Sequence, residues 1–427
     1  MKTTEILTIL SDQKAELERV NPSELCTREG ESEVDLQSNL AQIVIGVRRS
    51  GKSTLCQSIL LKNHIKFGYV NFDDERFYGI SSEVLNPILE ALYRINGEFD
   101  CLFLDEIQNV KGWHLFANRM LRQGMRMILT GSNANLLSGE LSTYLTGRNH
   151  QIVLYPFSLK EKCFYAGIAI DTFTTKERAL RQRALDSYLM EGGFPELAAQ
   201  NDKRDYIQSL LVAIVRKDVC RRYNIKRETT LWQIANHLVD NFCQEISYNS
   251  LARTYGVGSI HTVKNYVSYL AEAYLIRLIY KYSFKSKARQ ASCKSYLVDI
   301  AFQSFRENTL AGNNAGWRLE NVVCIELLRR IKSEYQDVYY IRQNGFEVDF
   351  VICEGNKVLQ LIQVTTELDA IGTKQYRREV GGLVKGSKLT GCNDLTLIVL
   401  NGAEDTLSED NKQVKVVPAA QWLVWPL

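Results

Sequence analysis

The chain has 427 residues, 45% apolar and 24% charged, with 26 glycines and only 6 prolines, which excludes a disordered, collagen-like or low-complexity polymer. At about 100–200 residues per domain, this length predicts two to four domains, each with its own core. The 52 basic and 49 acidic residues leave a net charge of +3, so the chain as a whole is no polycation.

No apolar run approaches the ~18 residues that span a bilayer. The opening MKTTEILTILSDQKAE meets acidic and polar residues too soon for a secretory signal, so a cytoplasmic location without a membrane partner is expected. The ten cysteines (26, 56, 101, 163, 220, 243, 293, 324, 353 and 392) are never closer than 23 residues and form no CxxC knuckle. The five histidines are equally scattered. Reduced core thiols are expected rather than a zinc site.

Residues 1–37 read as an N-terminal helical segment, and residues 38–165 as a phosphate-binding core. The apolar run Ala41–Ile45 leads into Gly46-Val47-Arg48-Arg49-Ser50-Gly51-Lys52-Ser53-Thr54, a complete GxxxxGK[ST], followed by Leu55–Leu60 with helical spacing. Strand, loop and helix therefore come in the order a P-loop requires. Loop N–H groups and the helix N-terminus wrap phosphate, Lys52 neutralises the outer phosphates, and Ser53 offers an oxygen to Mg²⁺. Arg48 and Arg49 either touch phosphate or brace the neighbouring region.

The next predicted strand is Gly68–Phe72, ending in Asp73-Asp74-Glu75. A third, Cys101–Leu104, ends in Asp105 and Glu106. Consecutive strand residues point to opposite faces, so Asp105 can support the metal while Glu106 polarises the attacking water. The strand Met125–Thr130 carries Ser132 and Asn133 at its polar tip, where one of them would sense the γ-phosphate or simply cap the loop. Gln151–Tyr155 completes five strands alternating with helices, which predicts a parallel sheet. Arg148, just before that strand, sits where a subunit of an oligomeric ATPase presents an arginine to its neighbour's nucleotide; a surface ion pair is the other reading.

These residues carry a resemblance. GVRRSGKST, LFLDEIQ, LTGSNANLLS, LTGR and LYPFS resemble a widespread prokaryotic family in which an AAA-type P-loop ATPase core is fused to a C-terminal domain of unknown function. Tyr188–Glu196 and Val215–Val219 resemble that family's connecting region, and the likeness runs over about residues 35–370. It implies ATP binding and hydrolysis without a defined cellular role.

Beyond the core, a helical lid or connector is expected over 166–245 and a winged helix-turn-helix over 246–294. Residues 247–290 hold seven basic side chains against the single acid Glu272, a net of +6. Lys264, Asn265 and Tyr269 on the second helix are candidates for a major groove of double-stranded DNA. The Lys/Arg-rich stretch 281–294, with Lys285, Lys287 and Arg289, would form the wing on the phosphates. The alternative is a packing module between ATPase and effector.

Residues 295–427 resemble the PD-(D/E)xK, restriction-endonuclease-like α/β fold: a helix with Glu320, then strands bearing Asp349 and Gln363-Val364-Thr365. Thr365 stands where active members carry a lysine, and a threonine supplies no positive charge to the attacked phosphate. A relic without cleavage is expected, unless Lys374 folds back. Three functions stay open: a Mg²⁺-dependent ATP hydrolase acting as a switch or remodeller, an ATP-regulated nuclease, and a nucleotide-sensing scaffold for a protein partner.

Overall fold

The computed structural model describes residues 1–132, 145, 147–171, 174–283, 292–306, 314–331, 333, 335–343 and 345–425. Asn133, Lys285, Lys287 and Arg289 lie outside the described residues. Met1–Tyr155 with Glu272–Tyr274 form one compact unit, and Pro156–Ala271 with Leu275–Leu427 a second.

The first unit is a P-loop fold. Its strands β1 (Ala41–Ile45), β2 (Phe67–Asn71), β3 (Cys101–Asp105), β4 (Arg126–Gly131) and β5 (Asn149–Val153) form one parallel sheet in the order β2-β3-β4-β1-β5. Helices α2 (Lys52–Lys62), α3 (Leu85–Asn96) and α4 (Trp113–Arg122) make crossovers between consecutive strands. Every residue of β1 and β3 is buried, as befits parallel strands packed on both faces, and this is why both read as unbroken apolar runs. Val44, Leu55, Ile59, Phe103, Ile128 and Ile152 share one core between sheet and helices.

The N-terminal helix α1 (Thr3–Leu17) is part of this packing, burying Ile6, Ile9, Leu10 and Gln13 against α3 and β2. The Gln13 amide closes the pairing at the end of β2, donating to the Asn71 carbonyl at 3.0 Å and accepting from its N–H at 2.9 Å.

In the second unit, α5 (Leu159–Tyr165) opens with a reciprocal cap between Ser158 and Glu161. Helices α6 (Thr175–Glu191), α7 (Lys203–Ala213) and α8 (Glu228–Asp240) follow, α7 running into a π-helical segment, Ile214–Arg221. Next come α9 (Tyr248–Thr254), a turn, α10 (Ile260–Glu272), and the antiparallel pair β6 (Ile276–Lys281) and β7 (Cys293–Leu297). A short α11 (Ala301–Ser304) precedes the long α12 (Ala315–Arg330). Strands β8 (Gln336–Gln343), β9 (Phe346–Glu354), β10 (Lys357–Thr365), β11 (Leu395–Val399), β12 (Asp405–Glu409) and β13 (Lys412–Pro418) complete the unit with α13 (Lys374–Thr390). The sheet order is β12-β13-β11-β10-β9-β8-β6-β7. The β6–β7 hairpin is thus one edge of the C-terminal sheet, and the chain position 294/295 falls inside β7.

The Gly192-Gly193 pair is explained by close approach. Gly192 ends α6 at φ 78°, and a Cβ there would lie 1.9 Å from Asp299 Oδ1. Asp299 in turn accepts from Gly193 N at 2.8 Å and Ala301 N at 2.9 Å. Burial pushes its carboxyl up from 3.8 to about 6, against the pull of those two N–H groups. The folded state then holds this proton more tightly than the unfolded chain, so stability present at low pH is lost as pH rises from about 4 to about 6. Asp299→Asn removes that dependence. Urea unfolding of both proteins is expected to show wild type losing about 2–3 kcal/mol relative to the variant between pH 4 and 7.

Candidate functional site

The carboxyl ends of β1, β3 and β4 converge, and the P-loop residues 46–54 stand over them. Gly46 has φ 149°, and a Cβ there would lie 2.1 Å from the Leu154 carbonyl oxygen, so only glycine lets the loop leave β1 beside the chain that follows β5. Val47 and Ser50 are fully buried, and the Ser50 hydroxyl has no partner among the described residues. Arg48 reaches Asp73 at 3.1 Å, while Arg49 is exposed with φ 66° and Thr54 is exposed on α2. Arg28, which motif spacing does not mark, is buried and donates to the Ser50 carbonyl at 2.9 Å and to the Tyr155 carbonyl at 2.7 Å. It ties the P-loop to the end of the β5 segment. These two partners are main-chain oxygens, which residue types in the sequence do not mark.

Lys52 is 4% exposed and donates to the Val47 carbonyl at 3.1 Å, with Glu106 Oε1 at 3.7 Å. Ser53 Oγ donates to Asp105 Oδ1 at 2.8 Å, Thr130 Oγ1 donates to the same oxygen, and Tyr69 OH stands 3.3 Å from Oδ2. Burial, then the neighbouring Glu106, push the Asp105 carboxyl up to about 6. Glu106 adopts a left-handed backbone at φ 52°, its N–H held by Thr130 Oγ1 at 2.9 Å. Burial alone would raise its carboxyl, but Lys52, Arg48 and the Gln108 amide outweigh that and hold it below the ordinary range. Ser132, at the end of β4, is fully buried with its Oγ 3.4 Å from Gln108 Nε2.

The residues fit Mg·ATP. A hydroxyl and a buried carboxylate lie together as a hard cation's ligands must, the rest of an octahedron being left to water and phosphate. A buried lysine resting on a main-chain carbonyl and an unpartnered loop hydroxyl are what an arriving phosphate would engage. Arg148 is exposed, with its guanidinium 3.5 Å from Asn118 Oδ1.

In the second unit, α10 shows a polar face with His261, Lys264 and Ser268 exposed. Lys264 lies over the Tyr248 ring at 5.5 Å and Asn265 meets His261 at 3.4 Å. Tyr269, half-buried at the edge of that face, is engaged otherwise: its ring stacks on Tyr223 with centroids 3.7 Å apart. Lys294, expected among the wing's basic residues, is also turned inward and is 4% exposed.

Lys294 enters the C-terminal acid cluster. Its Nζ reaches Glu320 Oε1 at 3.1 Å and Glu347 Oε1 at 2.7 Å, and Tyr296 OH donates to the same Glu320 oxygen at 2.7 Å. Burial would strip the lysine of its proton, but Glu320, Asp349 and Glu347 hold it on. Asp349 is buried and accepts from Val364 N at 3.0 Å; burial and then Glu320 push its carboxyl well up. Gln363 accepts from Asp349 N at 3.2 Å and donates to Glu379 at 2.8 Å. Thr365 donates to the Glu367 carbonyl and receives Gln375. Glu320, Asp349 and Gln363 therefore share one neighbourhood, Thr365 serves its own loop, and Lys374 is exposed. Among the described residues no group of three or more His, Cys, Asp or Glu side chains is arranged to hold a metal ion, and no helix is long and apolar enough to cross a membrane.

Comparison with known proteins agrees with the first unit. Residues 38–163 match an AAA domain, and residues 182–306 match a domain of unknown function, DUF8612. The latter falls on the helices and the hairpin in the middle of the chain. The Walker-type ATPase PABY2304 of Pyrococcus abyssi covers 68% of this chain and 99% of its own, at 16% identity and TM-score 0.41. An uncharacterized protein of Haemophilus influenzae is 28% identical over 349 residues, 78% of this chain and 84% of its own. The uncharacterized protein MJ1544 of Methanocaldococcus jannaschii is 32% identical over 403 residues, 91% of this chain and 89% of its own. At that identity and coverage the chain belongs to the family of MJ1544, with an AAA P-loop domain followed by a domain of unknown function.

Proposed function

We propose that the protein is a Mg²⁺-dependent ATP hydrolase whose nucleotide state acts as a conformational switch. The observation that carries this is the meeting of Lys52, Ser53, Asp105, Glu106 and Ser132 at the ends of β1, β3 and β4. Ser53 and Asp105 would hold Mg²⁺, which neutralises phosphate charge when bound. Lys52 leaves the Val47 carbonyl and Glu106 for the outer phosphates, since a phosphate oxygen is the stronger acceptor. Glu106, freed of its cation, becomes the more basic and takes the proton of the attacking water. Ser132, or Asn133 beside it, senses the γ-phosphate. Arg148, exposed at the start of β5, serves a neighbouring copy in an oligomer.

A second reading adds duplex DNA as partner. It is favoured by the exposed polar face of α10, with Lys264 and His261, and by exposed Arg253 on α9. Phosphate release with and without a short duplex, over a range of salt, tests both readings. Mg²⁺-dependent release supports the first. Stimulation by the duplex that fades steeply between about 50 and 200 mM salt supports the second, whereas a salt-independent response removes it. For the C-terminal domain we propose a compensated relic: Lys294 supplies the positive charge among the acids, and no strand cleavage follows.

A further inference from the structure

Gln108 follows the DE pair and forms part of none of the roles assigned above. Its Nε2 donates to Glu106 Oε2 and points at Ser132 Oγ, 3.4 Å away. The amide cannot be reversed, because that would set its oxygen against the Glu106 carboxylate, acceptor against acceptor. With this orientation Gln108 Oε1 is buried and has no hydrogen-bond partner among the described residues. A buried carbonyl oxygen without a donor is costly and calls for an occupant. The occupant must donate hydrogen bonds and stand beside the Glu106 carboxylate. Water meets both demands.

Ser132 completes the arrangement. It accepts from Gln108, and its own hydroxyl lends the Glu106 carboxylate a hydrogen bond, a donor for which a γ-phosphate oxygen would compete. Any shift of Ser132 toward phosphate is then felt by the amide that holds Glu106.

We infer that Gln108 is a positioning residue that links Ser132 to the Glu106 carboxylate and receives the attacking water on its side-chain oxygen. This rests on the reading of Glu106 as the base for ATP hydrolysis. A leucine of similar volume removes both the donor and the acceptor while leaving the fold's packing in place.

Steady-state turnover and equilibrium ATP binding are measured on the full chain for wild type, Gln108→Leu, Glu106→Gln and the double variant. Gln108→Leu is expected to lower kcat about 10- to 100-fold while KM and ATP affinity stay within about threefold. The double variant is expected to turn over no more slowly than Glu106→Gln alone, since the amide acts through that carboxylate and its water. Retained ATP binding shows that each variant is folded. If Gln108→Leu matches wild type while Glu106→Gln is inactive, or if the two losses multiply, the inference falls and the hydrolase reading stands. Loss of ATP binding in Gln108→Leu marks a structural role and also overturns it. A wild type without turnover, or one matched by Glu106→Gln, removes the hydrolase reading and the inference with it.

Discussion

Lys52→Ala is expected to weaken ATP binding by about 100-fold, the worth of a charge-assisted contact of ~3 kcal/mol, and to abolish turnover at ordinary nucleotide concentrations. Lys52 is almost fully buried and spends its charge on the Val47 carbonyl and Glu106, so phosphate meets a cation already stripped of water. Removing it leaves the outer phosphates without that partner and Glu106 without its cation. Glu106→Gln should separate the two effects. The amide keeps the shape of the side chain but cannot take a proton, so the variant is expected to bind ATP as wild type does and to hydrolyse it about 10²- to 10⁴-fold more slowly. Filter retention of labelled ATP together with phosphate release reads both quantities. Wild-type turnover in both variants is the result that removes the assignment.

The P-loop was legible because its chemistry is local. Nine consecutive residues set loop conformation, lysine and helix start at once, and the apolar strand before them supplies the context. Asp105 and Glu106 were legible for the same reason, as the end of a strand buried along its whole length. Arg28 and Gln13 were not: each reaches a main-chain carbonyl far along the chain, Arg28 that of Tyr155 and Gln13 that of Asn71. Any sequence supplies a carbonyl there, so nothing in the partner's identity marks the contact. Gln108 stood in plain view within LFLDEIQ, but its meaning depends on which way the amide faces, a property of geometry alone.

The middle of the chain shows the limits of charge counting. A net of +6 over 247–290 treats every cation as exposed, yet just past that stretch Lys294, read as part of the wing, is buried among acids. Tyr269 likewise fits a groove-facing position by spacing and is stacked on Tyr223 instead. In both cases a partner from another element decided the side chain's direction, and helical periodicity carries no record of that partner. The pairing of Lys294 on β7 with Glu320 and Glu347 could be found only once the chain was folded.

Lys294→Ala is expected to be among the most destabilising single changes in the second unit. Glu320, Glu347 and Asp349 surround this ammonium or feel its charge, and removing one partner of a buried ion cluster costs about 3–5 kcal/mol because the remaining charges stay in a poorly solvated place. Without the lysine the folded state would hold protons on Glu320 and Asp349 still more tightly relative to the unfolded chain. The deficit should therefore shrink as pH falls and grow as it rises. Lys294→Ala combined with Glu320→Gln should recover part of the loss, since one of the stranded charges is gone. Urea unfolding without nucleotide, with and without added Mg²⁺, decides what the cluster is. If wild type is indifferent to Mg²⁺ and the variant stays destabilised in its presence, the lysine is a built-in counter-ion and cleavage has no foothold there. If Mg²⁺ restores the variant, or stabilises wild type, the acids accept a divalent ion and the proposal of a compensated relic gives way to the nuclease reading.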